Sequence, residues 1–466
     1  MELVRFYRPR NSKGTALWKL SEALYDRLRG KWEERFESKF GFWRGLADEA
    51  VARYWDCGLA EMGFARISCD GCRAERLLTF SCRTRQLCPS CGAKRGAIFG
   101  AFLREEVVEE VGHQQWVFTI PKIIRTYFLR NRELLGDLSR AAWETVLEMM
   151  TEAAGDLSLR PGMVIVPQSF GSSVNFHPHL HSIVSRGGWT PTGEWMPIPY
   201  VDAGAAARLF RHKVLKFLRA ADLIDQERME LILGWGHNSG FSVHNSVVVH
   251  ADDGEGLERL ARYLARPPVS LERMEWDRTR GEVIYRTGRG HPEGRENRAD
   301  GEERAGDFER LDGLEFLARV VTQLPEPRKH SIRYYGHYAA AARAKRRRVS
   351  GDGEGAGKTK SGAMNATEAV GLTGVAPLAD KEPDTAERSA LRKKWAQLIR
   401  RIYEIDPLLC PCGGTFKVVS IITEPKVING ILAHLAKAAT GSATMGSGAG
   451  PPHPNHLGPA PEPIVN

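Results

Sequence analysis

His177-Pro178-His179-Leu180-His181-Ser182-Ile183-Val184 is the stretch on which the reading of this chain turns. Its apolar, β-branched setting predicts a strand, along which side chains alternate faces with a rise of about 3.3 Å per residue. His179 and His181 then share a face roughly 6–7 Å apart at Cα, a span across which two imidazoles can hold one metal ion. His177 shares the face but lies about 13 Å from His181, too far for one ion to bind all three. Leu180 between the two rings favours the His179/His181 pair, and Pro178, which lacks a ladder donor, is expected to mark the start of the strand. Three histidines at an ordinary strand edge form the competing reading, so the surroundings decide.

At 466 residues the chain has room for two or three domains with proper cores. No window approaches 18 uninterrupted apolar residues, so no membrane span is expected. Met1-Glu2-Leu3-Val4-Arg5 lacks the apolar core of a secretory signal, which predicts a soluble intracellular protein. A net charge of +9 and a pI near 9.1 point to a polyanionic partner. The basic run at Arg343 and Lys345 to Arg348 is read either as a solvated face or as a phosphate contact.

Six of the eight cysteines fall between Cys57 and Cys91; the other two are Cys410 and Cys412. Such clustering in a large chain without an export signal argues for metal rather than disulfides. Cys69-Asp70-Gly71-Cys72 and Cys88-Pro89-Ser90-Cys91 are two Cys-x2-Cys knuckles separated by 15 residues. Together they are expected to fill one tetrahedral zinc shell, with Gly71 and Gly92 easing the turns. Cys57 and Cys82 lie outside that pattern; they could assist a second site, but buried free thiols are the preferred reading. Arg73, Arg76, Arg83, Arg85, Lys94 and Arg95 around the knuckles favour nucleic-acid contact.

Residues 1–50 read as amphipathic helices, with Trp18, Tyr25, Trp32, Phe36 and Trp43 in packing positions. Strands are expected at 116–120, 163–167, the histidine stretch, 241–249 and 282–285, and helices at 128–154, 203–220 and 256–266. The pattern predicts an α+β fold: a zinc-binding N-terminal domain followed by a central, mostly antiparallel sheet flanked by helices. The expected division is a helical segment at 1–56, a zinc-binding DNA-contact domain at 57–110 and a nuclease domain at 111–348. A flexible linker at 349–388, a small C-terminal unit at 389–437 and a disordered tail at 438–466 follow.

In the helix expected at 256–266, Leu257, Leu260, Ala261 and Leu264 form the i, i+3, i+4, i+7 stripe that packs on a core. Arg259, Arg262 and Arg266 lie roughly opposite. Tyr263 falls on the border, where its phenol either packs or projects toward a phosphodiester held by the arginines.

Further motifs stand in order along the chain: Gly63-Phe64-Ala65-Arg66, Phe80-Ser81-Cys82, Cys88-Pro89-Ser90-Cys91-Gly92, and Gln115-Trp116-Val117 with Pro121-Lys122. His179-Leu180-His181, Gly240-Phe241-Ser242-Val243-His244 and Tyr263-Leu264-Ala265-Arg266-Pro267-Pro268 follow. In these the chain resembles, over roughly residues 5–425, the HUH rolling-circle transposases of bacterial insertion sequences that carry an N-terminal zinc-binding domain. The resemblance implies that His179 and His181 hold a catalytic Mg or Mn ion and that Tyr263 cuts single-stranded DNA, leaving a 5′-phosphotyrosine. It further implies structural zinc, single-stranded DNA at transposon ends and target DNA as partners, and a cytoplasmic, nucleoid-associated protein. Gln168 is the first candidate for a third metal ligand and His244 the second.

The chain departs from that family's pattern twice. Pro267 stands where the second tyrosine of Tyr-x3-Tyr would be, so one nucleophile per subunit is expected. Cys410-Pro411-Cys412-Gly413-Gly414 has one spacing residue where Cys-Pro-x-Cys-Gly-Gly is usual, which argues against a zinc knuckle there. Tyr334, Tyr335 and Tyr338 are rival nucleophiles by residue type, read as packing or DNA-stacking positions. The alternatives are a plasmid rolling-circle replication initiator or relaxase, and a catalytically inactive zinc-dependent DNA-binding protein. A barrel-type metal hydrolase needs further strand-end ligands in a β/α repeat that this chain does not show.

Overall fold

The computed structural model describes residues 11–235, 239–287, 308–349 and 410–441. The Gly/Arg/Glu-rich stretch 288–307, whose composition suggests an exposed loop, nearly all of the linker, residues 395–403, whose sequence suggests a helix, and most of the tail lie outside the described residues. In chain order the strands are β1 (Phe64–Cys69), β2 (Glu75–Thr79), β3 (His113–Thr119), β4 (Arg160–Phe170), β5 (Phe176–Trp189) and β6 (Trp195–Pro197). They continue with β7 (Ser242–His244), β8 (Val248–Val249), β9 (Met274–Asp277), β10 (Glu282–Arg286), β11 (Phe308–Asp312), β12 (Arg333–Gly336) and β13 (Phe416–Ile422).

The central sheet runs β12-β4-β5-β3-β7, with β6 beside β5 and β8 beside β3, and every pair is antiparallel. Alternation along β5 sorts its side chains between two layers. Leu180 and Val184 pack with Trp116, Phe118, Met163 and Ile165 under helices Leu134–Ala154 and Ala203–Ala220. Ile183 packs with Val164 and Val166 on the opposite face, under helices Pro89–Phe102 and Gly254–Leu264. His179 and His181 are in step with Ile183, so they fall on the second face.

β5 begins at Phe176, two residues before Pro178, and not at the proline as expected from sequence. The ladder with β4 is irregular between Gln168 and Phe170, opposite this stretch, and there the missing proline donor is tolerated. The helix expected over 128–154 is two, Arg125–Arg130 and Leu134–Ala154, parted at Asn131 by an extended backbone.

The N-terminal helices Ala16–Gly30 and Leu46–Trp55 share one core with helix Gly313–Thr322 and the sheet β11-β10-β9. Trp32, Tyr25 and Phe36 are buried there, and Cys57, Cys88 and Cys91 belong to the same core. Residues near the N-terminus and around 274–324 therefore build one layer, tied at its rim by Arg35 to Asp312 and Arg44 to Glu326.

A third, small sheet has the order β13-β1-β2. β13 pairs with β1 from Phe64 opposite Ile422 to Cys69 opposite Phe416, burying Phe416 with Ile67, Cys69 and Cys410. The C-terminal strand is thus an edge of the cysteine-region sheet. Among the described residues no helix is long and apolar enough to cross a membrane.

Candidate active site and cysteine quartets

On the second face of the central sheet the two histidines meet through their Nε2 atoms, 3.0 Å apart. His179 Nδ1 donates to the carbonyl of His177 at 2.7 Å, which leaves a lone pair on its Nε2. His181 must then donate from Nε2, and its Nδ1 accepts from the Gln115 amide of β3 at 3.1 Å. One chain of hydrogen bonds therefore satisfies both rings. Burial, which disfavours the charged imidazolium, lowers His179 to about 4 and His181 to about 3, the latter helped by its neighbours His179 and Arg266. Both rings stay neutral across the physiological range, as ligands must. His177 is likewise lowered to about 4, by burial and then by Arg125, and its part in the pair is the carbonyl it offers.

Helix Gly254–Leu264 brings the tyrosine to this pair. Asp253 caps it by accepting from Gly256 N, and Leu257, Leu260, Ala261 and Leu264 bury the stripe expected from the sequence. Tyr263 is 42% exposed on the border of that stripe, open to a substrate yet held against the site. Its ring meets that of His181 edge-on, centroids 5.4 Å apart, and the Arg266 guanidinium lies 4.2 Å above its face.

Gln168 links the two halves. It stands in register with His179 across β4 and β5, is 1% exposed, and donates through Nε2 to the Leu264 carbonyl at 2.9 Å. That bond satisfies a carbonyl that the helix C-terminus leaves unpaired. Its Oε1 is buried with no hydrogen-bond partner. An orphaned buried acceptor costs free energy unless something supplies positive charge or a donor, so two imidazole nitrogens and one amide oxygen fit a hard divalent cation. His244 is exposed on β7, on the far side of Val117 from His181.

The three arginines of the helix differ. Arg259 pairs with Asp253 and Glu255, and Arg262 with Glu258, which also binds Arg104, so Arg266 is the one poised at the tyrosine. The rival tyrosines are packing residues: Tyr338 is buried against His113 Nε2 at 2.7 Å, Tyr335 stacks on Trp143, and Tyr334 packs on Phe102. In the basic run, Arg346 pairs with Glu109 and Arg347 with Glu106, docking that helix on the turn after Phe102.

The cysteines sort differently from the sequence expectation. Cys69, Cys72, Cys88 and Cys91 do not form one set. They divide between two quartets, Cys57/Cys82/Cys88/Cys91 and Cys69/Cys72/Cys410/Cys412, each with all sulfurs within 4.8 Å of one another. The β1–β2 hairpin carries Cys69 and Cys72 away from the core in which Cys88 opens helix Pro89–Phe102. Cys57 and Cys82 are therefore not spare thiols. In the first quartet Cys57 Sγ lies 3.6 Å from Cys88 Sγ and 3.8 Å from Cys91 Sγ, and Cys82 Sγ lies 3.6 Å from Cys91 Sγ. A tetrahedron with Zn–S bonds of about 2.3 Å has edges of about 3.8 Å, so this quartet fits zinc, whereas a disulfide would need about 2.05 Å. The available signal was arithmetic: eight cysteines make two full sets of four.

The site thus joins a histidine pair on an antiparallel sheet to an adjacent helix-borne tyrosine, beside a cysteine-rich region, and comparison with known proteins says what the chain is similar to. Residues 162–347 match the family described as "Putative transposase", and residues 29–120 match "Transposase zinc-binding domain". The chain is 27% identical over 313 residues to "Transposase for insertion sequence element IS801" of Pseudomonas savastanoi pv. phaseolicola, covering 64% of this chain and 71% of that one. It is 32% identical over 170 residues to "Putative transposase y4qJ" of Sinorhizobium fredii (strain NBRC 101917 / NGR234), covering 35% of this chain and 42% of that one. No solved structure matches the chain. The chain is thus similar to insertion-sequence transposases in two stretches, one matching a transposase zinc-binding domain and one matching a transposase domain.

Proposed function

We propose that this transposase nicks and rejoins single-stranded DNA at insertion-sequence ends by rolling-circle transposition, acting on cytoplasmic, nucleoid-associated DNA, with Tyr263 as its nucleophile. The observation that carries the reading is the half-exposed Tyr263 ring standing 5.4 Å from His181, whose Nε2 faces that of His179 at 3.0 Å. His179, His181 and Gln168 would hold a divalent cation, Mg or Mn, which when bound polarises the scissile phosphate and stabilises charge on the leaving 3′ oxygen.

The Tyr263 phenolate attacks phosphorus: the new O–P bond forms, the P–O3′ bond breaks, and the 3′ oxygen takes a proton to become a free hydroxyl. The 5′-phosphotyrosine keeps the energy of the phosphodiester, so a 3′-hydroxyl can reverse the step without ATP. Arg266 over the phenol ring offers positive charge where the phosphate arrives. A metal-ligating His181 would carry its proton on Nδ1, where the Gln115 amide, turned to present Oε1, would accept it. The basic residues of the zinc-binding region and Arg259 and Arg262 supply further DNA contacts.

The test is a denaturing-gel assay with Mn and a single-stranded oligonucleotide from the element's end. The intact protein forms a covalent adduct and Tyr263→Phe forms none. An adduct with Tyr263→Phe refutes the nucleophile assignment, and no adduct with the intact protein on any end oligonucleotide refutes the cleavage reading.

A further inference from the structure

The second cysteine quartet lies outside the zinc-binding match at one end, since that match stops at residue 120 while Cys410 and Cys412 come far later. Its halves are distant in sequence: Cys69 Sγ is 3.5 Å from Cys412 Sγ across 343 positions, and Cys72 Sγ is 3.5 Å from Cys410 Sγ across 338. We propose that Cys69, Cys72, Cys410 and Cys412 bind a second structural zinc ion, a clasp that fastens the C-terminal strand to the zinc-binding domain.

Four observations support this. The sulfur separations approach a tetrahedral zinc–thiolate edge of about 3.8 Å and exceed a disulfide bond by about 1.5 Å. Each half turns a backbone N–H onto its own sulfur, Gly71 N to Cys69 Sγ at 3.3 Å and Gly414 N to Cys412 Sγ at 3.4 Å, donors that stabilise thiolates. Gly414 is seated so closely that a Cβ there would fall 2.7 Å from Cys69 Sγ and 3.0 Å from Gly71 N, so only glycine lets the turns meet. Asp70, inside the first knuckle, accepts from Thr415 N at 2.8 Å, donates its own N–H to the Thr415 carbonyl at 3.1 Å and pairs with Lys417, bracketing the two turns.

The sequence objection, that one spacing residue cannot form a knuckle, falls away on this geometry. Cys410-Pro411-Cys412 does not need to form one. Gly413 takes a positive φ of 85°, Gly413 N donates to the Cys410 carbonyl, and the tight turn presents both sulfurs to the knuckle of β1. The two sites also differ in access: Cys72 and Cys412 are exposed, whereas Cys57, Cys88 and Cys91 are buried. The clasp zinc should therefore be the first to leave.

Zinc stoichiometry by native mass spectrometry and elemental analysis tests the proposal on the full chain purified with zinc. Two zinc ions per chain are expected for the intact protein and one for the Cys410→Ser/Cys412→Ser double variant. A chelator should strip the intact protein in two phases, the faster one missing from the variant. One zinc in the intact protein, two in the double variant, or two disulfides found between these four cysteines under reducing purification would each overturn it. Should the double variant fold poorly, cobalt substitution of the intact protein gives an independent reading: tetrahedral thiolate absorption for two ions supports the clasp, and for one refutes it.

Discussion

Gly92 and Pro267 touch: a Cβ built on Gly92 would lie 2.9 Å from the Cγ of the proline ring. Gly92 follows the zinc-type ligand Cys91, and Pro267 follows the helix that carries Tyr263. Further along the same helix face, Gly96 lies against the backbone of Arg262 and Gly100 against that of Glu258. A helix whose first turn carries Cys88 and Cys91 is thereby the bed on which the helix of Tyr263 rests. The cysteine quartet and Tyr263 therefore sit on two helices packed face to face.

Gly92→Ala should separate the two roles. The proline ring cannot yield as a flexible side chain would, so overpacking should cost about 1–3 kcal/mol. Zinc content measured by elemental analysis should stay unchanged while adduct formation slows severalfold. Gly96→Ala, with its nearest contact at 3.6 Å, should change the rate little.

Gln168→Leu removes both the free Oε1 and the donor to the Leu264 carbonyl. Manganese affinity, read by isothermal titration, should fall on the order of 10–100-fold, the range seen when support around a metal site is lost. If affinity held and only the cleavage rate fell, Gln168 would position the helix without ligating.

Gln115→Leu takes away the partner of His181 Nδ1. The ring then loses the group that would stabilise its metal-ready tautomer, so manganese affinity should again drop by roughly 10-fold or more. Gln115→Glu, which accepts from Nδ1–H without turning over, should retain binding better than the leucine variant.

His113 makes stability depend on acid. Burial lowers it to about 4 from 6.5, and it is held neutral beside Tyr338, whose own pKa burial raises. Because the folded value is depressed, the stabilisation is fully present above pH 6.5 and is lost as pH falls from 6.5 toward 4. The loss is on the order of 3 kcal/mol. Thermal denaturation at pH 7.5 and pH 5 should show a smaller acid-dependent drop in Tm for His113→Gln than for the intact protein. Equal drops in the two would show that His113 does not carry the effect.

Rules that act within one element made much of the site legible in sequence. Period two along β5 put His179 and His181 on one face, and the 3.6-residue stripe of Leu257, Leu260 and Leu264 put Tyr263 at a border. The partners of each element were harder. Amphipathic helices at the N-terminus announce a buried face without saying that helix Gly313–Thr322 will cover it. The cysteines misled for the same reason. Cys-x2-Cys spacing marks a half-site, but tertiary packing decides which half completes it, and here each knuckle takes cysteines that do not match its spacing. The Gln168 bond to Leu264 likewise joins residues 96 positions apart and leaves no local mark.

The pairing of β1 with β13 also sets an order of events during synthesis. A ribosome makes Cys410 338 positions after Cys72, a delay of roughly 20–70 s at typical rates of synthesis. Through that interval β1 has one free edge and its knuckle only two sulfurs, while the histidine pair and Tyr263 are already made. A message broken before codon 412 would therefore yield a chain with His179, His181 and Tyr263 present and its seam open. Such a chain would present the unpaired edge of β1, which another strand could pair with.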